Sequence, residues 1–168
     1  MPEPKEHSEQ RGMLESVLRK IPGFRGYLEK ETRRESDQLQ RDWLATRLER
    51  AKRGLDAASR EWVDAGQIDA LPLCDRLRGR LDKLIGRIRG AMLGYSGFFD
   101  LVQIGETELD RIYDYDVSLM DEVDELAATV EGLTSNSQPV NAVRQAMTQA
   151  EKLEQQWDVR EDMLKGLK

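Results

Sequence analysis

LATRLERAKRGLDAASREW, residues 44–62, decides the fold: Leu44, Leu48, Ala51, Leu55, Ala58 and Trp62 recur at alternating steps of four and three among Arg, Glu, Asp and Lys. On a helix those positions line up as one apolar stripe, which is what a rod needs to bury itself against another rod. Working outward, proline is absent from Phe24 to Val63, and Gly54 costs a helix interior only about 1 kcal/mol relative to alanine. The spacing therefore predicts one helix of roughly 40 residues, about 60 Å long. Gly66 suits its C-cap, with Asp69 as the next N-cap and Pro72 in the following first turn.

The same period returns three more times. Leu73, Leu77, Leu81, Leu84, Ile88 and Met92 mark a second helix. Leu109, Ile112, Asp116, Leu119, Val123, Leu126, Val130 and Leu133 mark a third, with Asp116 as a polar intruder and Thr107 as a cap. Val140, Val143, Met147, Ala150, Leu153, Trp157 and Leu164 mark a fourth, opened by Ser137 and Pro139. GYSGFFD at 94–100 breaks the pattern, because two glycines in four residues favour a turn. No useful stretch alternates apolar and polar residues, so strands are not expected. The fold class is all-α: an elongated antiparallel helical bundle or coiled coil of about four helices, the first the longest. That first helix either projects beyond the bundle or carries the second and third along its length.

Composition agrees with thin rods. Charged residues make up 35% of the 168 and aromatics 6%, more wetted surface than a thick globule carries. Residues 1–12 read as a flexible N-terminal segment and 13–168 as a single helical-bundle domain, opened by an amphipathic turn at Met13, Leu14, Val17, Leu18 and Ile21. A net charge of −6 makes nucleic acid an improbable partner. Cys74 is the sole cysteine, which removes disulfide frameworks and multi-cysteine metal sites and fits a reducing compartment. There is no transmembrane-length apolar run and no signal-peptide core, so cytoplasmic residence is expected.

Chemistry-bearing clusters are sparse. His7 is the one histidine, so zinc sites and histidine-dependent triads lack their ligands, and the Glu-x-x-His pairs of di-iron bundles are missing. No catalytic, cofactor or metal residue is assigned, and an enzyme is not expected. The acidic third helix follows helical spacing, unlike a calcium loop; its carboxylates form a solvated face, with weak divalent binding near Asp121 to Glu125 as the alternative. Arg76, Arg78, Arg80, Lys83, Arg87 and Arg89 bias the second helix the other way, so the two are expected to pair with each other. A lipid- or phosphate-facing surface is the competing use of those six residues. EKETRRESDQ, residues 29–38, has no apolar residue and reads as a solvated ladder of Glu29, Arg33 and Asp37, or as a docking face through Lys30, Arg33 and Arg34. Tyr95, Phe98 and Phe99 either plug one end of the bundle or anchor a partner. Trp62 and Trp157 lie in phase with their seams and belong to the core, whereas Trp43 flanks its seam.

The blocks IPGFRGYLEKETRRESD at 21–37 and GYSGFFD at 94–100 resemble those of an uncharacterised group of bacterial all-helical proteins, over the first two thirds of the chain. The resemblance implies a helical fold and a bacterial cytoplasmic setting, and no activity, ligand or residue role. The residues themselves point to a non-enzymatic helical scaffold or adaptor that binds other proteins, self-association included. Tyr95, Phe98 and Phe99 would be its apolar anchor and Lys30, Arg33 and Arg34 its charged face. The alternative is a peripheral membrane or polyanion binder using the basic second helix.

Overall fold

The seam of residues 44–62 is the spine of the longest helix. The computed structural model describes residues 12, 14–26, 32–91 and 106–164. Over these, α1 (14–20) precedes α2 (Arg33–Asp64), α3 (Leu71–Gly90), α4 (Glu106–Glu131) and α5 (Pro139–Leu164), with short 3₁₀ turns at Ile68–Ala70 and Leu133–Ser135. No strand occurs among the described residues. The fold is an elongated all-α antiparallel bundle, and α2, at 32 residues, is its longest helix.

α2 begins later than the proline-free stretch suggested. Phe24 to Gly26 are not helical: Phe24 is buried edge-on to Tyr113, and Gly26 takes a φ of +81°. A side chain at Gly26 would overlap the Tyr113 hydroxyl, since a Cβ there would lie 2.2 Å from it. The chain thus enters as a strap, with Val17, Ile21 and Phe24 in the core, and only then starts α2. At the other end of α2 the expectation for Gly66 holds. Its φ is +71°, its N–H donates to Val63, and the Gln67 N–H donates to Trp62, which satisfies two terminal carbonyls.

Leu44, Leu48, Ala51, Leu55, Ala58 and Trp62 are all buried, as are Leu77, Leu81, Leu84 and Ile88 of α3 and the run from Leu119 to Leu133 on α4 and its turn. A buried leucine contributes about 1.5–3 kcal/mol relative to exposure, so these stripes carry the stability. Trp62 and Trp157 are core and Trp43 is half-buried, with the Lys20 ammonium 5.5 Å from its ring centroid.

Helix order around the bundle follows from the packing. α2 lies against α3 and α4, and α5 lies against the same two, so the circuit runs α2, α3, α5, α4. Consecutive helices are antiparallel, while α2 and α4 run parallel: Arg47 reaches Asp124 and Glu131, and Gly54 abuts the Glu131 backbone. α3 and α5 are parallel as well, with Arg80 on Glu151 and Glu154 and Arg87 on Asp158 and Glu161. Residues 92–105 accordingly join helices at opposite corners, whereas the turns at 65–70 and 132–138 join neighbours. Of the two dispositions left open for the first helix, it is the second that the packing realises, with α3 and α4 both lying along α2.

Candidate functional site

Seven polar or charged side chains are buried among the described residues: Thr32, Ser36, Asp37, Gln40, Arg41, Asp116 and Arg160. All belong to one end of the bundle, where α2 and α4 begin and α3 and α5 finish. Four of them form a network. Arg160 of α5 donates through Nε to Asp116 of α4 and through Nη2 to Asp37 of α2, both at 2.8 Å. Arg41 donates through Nε to the other Asp37 oxygen at 2.7 Å, and its Nη1 approaches the carbonyls of Ile88 and Arg89 on α3 at 3.4 Å. Exposures are 2% for Asp37, 3% for Arg41, 0% for Asp116 and 1% for Arg160. Among the described residues, the network's two acids and two guanidinium groups sum to zero charge, which is the condition under which ions tolerate burial.

The local sequence explains the placement. Asp37 and Arg41 continue the step of four and three upward from Leu44, so the stripe that buries leucines also carries these charges inward. Asp116 falls between Ile112 and Leu119 on the α4 stripe, and Arg160 between Trp157 and Leu164 on that of α5. Trp157 screens the cluster: its ring centroid lies 5.3 Å from the Arg160 guanidinium carbon, and its Nε1 donates to Glu161 at 3.0 Å. Gln40 is fully buried beside the network, and among the described residues neither its amide oxygen nor its nitrogen has a hydrogen-bond partner.

This corrects the reading of residues 29–38 as a solvated ladder. Within the described part, Thr32, Ser36 and Asp37 are interior, and Ser36 accepts the Arg25 N–H at 3.1 Å. The intruder Asp116 has its reason in Arg160. The available signal was charge in phase with an apolar stripe on three helices, summing to zero: Asp116 and Arg160 each stand between two apolar stripe positions, and Asp37 and Arg41 continue the stripe above Leu44.

The expected pairing of the basic second helix with the acidic third is also corrected. α3 and α4 stand on a diagonal, so the α3 cations find carboxylates on its flanking helices instead. Arg78 bonds Asp56 at 2.7 Å and Asp75 at 2.8 Å, Arg89 bonds Glu49, and Arg80 and Arg87 bond the α5 carboxylates. Hydrogen bonding to Asp56 holds the Arg78 guanidinium above its ordinary pKa, and Asp158 acts likewise on Arg87. Arg76 and Lys83 are exposed and form no ion pair among the described residues. The acidic α4 is answered by Lys20, Arg47 and Lys152.

Of the residues singled out for partner binding, Arg33 and Arg34 occupy the first turn of α2, Arg34 exposed and Arg33 partly so. Lys30, Tyr95, Phe98 and Phe99 lie outside the described residues. Among the described residues no group of His, Cys, Asp and Glu is arranged to hold a metal ion, and no helix is long and apolar enough to cross a membrane. No family model, curated protein or solved structure matches the chain.

Proposed function

We propose that the protein is a non-enzymatic helical scaffold that binds other proteins, a second copy of itself included, at the end of the bundle where α2 begins. One observation supports this reading: the described residues that flank both candidate sets in sequence lie at that end. Arg33 and Arg34 open α2, and Gly90 and Glu106, between which Tyr95, Phe98 and Phe99 are strung, close α3 and open α4 there. The helix dipole sharpens it. Cations in a first turn oppose the positive helix terminus by about 0.3–1 kcal/mol each, a local cost that Arg33 and Arg34 both carry. The internal ion network below gives this end a defined shape to present.

The test is affinity capture from the native host with crosslinking, using the Tyr95→Ala/Phe98→Ala/Phe99→Ala variant beside wild type. Lost capture with unchanged circular dichroism supports the anchor; lost helicity makes these residues core and ends the reading. Charge reversal at Arg33 and Arg34 should weaken capture in a salt-dependent way. The resemblance of residues 21–37 and 94–100 to bacterial helical proteins, and a cytoplasmic setting, fit this role. A polyanion- or membrane-surface role has Arg76 and Lys83 in its favour, but the α5 carboxylates facing Arg80 and Arg87 would repel the same ligand. Flotation with anionic vesicles at low salt decides it, since vesicles that leave the protein unbound exclude that role.

A further inference from the structure

We infer that the bundle opens from one end, with the Asp37–Arg41–Asp116–Arg160 cluster as a latch that releases while the opposite end stays shut. All seven buried polar side chains belong to the opening end; the buried residues of the other half are apolar throughout, from Leu44 to Trp62 on α2, Leu119 to Leu133 on α4 and its turn, and Ala142 to Leu153 on α5. Separating apolar layers exposes them to water with nothing in return. Separating the latch returns four ions to water, and the hydration regained offsets much of the attraction lost. Gln40 tips the balance further, because its buried amide has no hydrogen-bond partner among the described residues of the closed bundle and would gain water in the open one.

The connections agree with this polarity. At the closed end α2 and α4 touch backbone to backbone at Gly54, and the turn at Leu133–Ser135 caps them. At the opening end α2 is approached by the strap, whose Arg25 N–H rests on the Ser36 hydroxyl. Opening would bare Ile88, Ile112, Tyr113 and Trp157, an apolar patch rimmed by both signs of charge. It is a property of the isolated chain and stands whether or not a partner docks there.

Native-state hydrogen exchange by mass spectrometry on the full chain tests it. Peptides covering 36–42, 112–118 and 156–162 should exchange together, at least about tenfold faster than those covering 48–58, 122–130 and 145–153. Gln40→Met, equal in length but without polar atoms, should slow exchange at the first set by about tenfold and leave the second unchanged. Equal protection at both ends of the wild-type bundle overturns the inference. So does a Gln40→Met variant that slows both ends alike, or slows neither.

Discussion

Replacing Arg160 with Met should be among the most damaging single changes this chain can suffer. The methionine fills a similar volume but withdraws two charge-assisted hydrogen bonds of 2.8 Å from Asp116 and Asp37, whose exposures are 0% and 2%. Breaking a buried pair from one side costs about 3–5 kcal/mol, because a carboxylate stays in the interior without its counter-ion. A domain's whole stability is about 5–15 kcal/mol. For 168 residues each kcal/mol moves the midpoint by about 2–4 °C, so melting should fall by about 10 °C. Urea and thermal unfolding followed by circular dichroism give both numbers. The fourfold variant Asp37→Leu/Arg41→Met/Asp116→Leu/Arg160→Met should sit within about 1 kcal/mol of wild type or above it, since a well-packed apolar set replaces a buried network at little or no cost. A loss below about 1 kcal/mol for Arg160→Met, or a fourfold variant as damaged as the single one, refutes this account of the cluster.

Gly54→Ala should destabilise by about 1–2 kcal/mol in urea unfolding despite its better helix propensity, because its Cβ would meet the Glu131 Cα at 2.8 Å and the Val130 carbonyl at 3.0 Å. Gly79→Ala and Gly86→Ala should do the opposite, raising stability by about 1 kcal/mol each in the same assay, since a Cβ at either position of α3 meets nothing within 4 Å. Burial pushes the Cys74 thiol above the usual cysteine range, against weaker opposing effects of Ser59 and Arg78, so the native protein should react slowly with thiol reagents and the unfolded one fast. Tyr115 is raised by burial; Lys20 is also raised, where hydrogen bonds to Asp124 and Asp121 outweigh desolvation. A folded-state value above the unfolded one supports the fold below the unfolded value and withdraws that support as pH climbs through the folded one. Urea midpoints should therefore decline from about pH 10 upward.

The fold was legible because one-dimensional period maps directly onto helix faces. Every described seam residue of α2 and α4 from Leu44 and Leu119 onward is interior, and Gly66 ends α2 as glycine chemistry requires. What period cannot convey is which helix stands beside which. The basic and acidic helices are natural partners by composition, yet residues 92–105 join opposite corners, and Arg78, Arg80, Arg87 and Arg89 of α3 pair with nearer carboxylates on α2, α5 or α3 itself. The start of α2 was misjudged because absence of proline permits a helix without compelling one; the Phe24–Tyr113 contact and the left-handed Gly26 decide against it. Asp37, Arg41 and Arg160 were hidden by a sound habit, that charge belongs outside, which fails where opposite charges share an interior.

The neutral quartet also divides the protein's ion pairs into two populations that respond differently to brine. Concentrated electrolyte shortens the Debye length to a few ångströms and quenches the outer pairs of Lys20, Arg47 and Lys152, which sit in water. While the bundle is closed, Asp37, Arg41, Asp116 and Arg160 are out of reach of dissolved counter-ions, so in that state the alignment of α2, α4 and α5 they enforce persists in concentrated salt. A rod bundle whose alignment rested on rim charges alone would slip under those conditions.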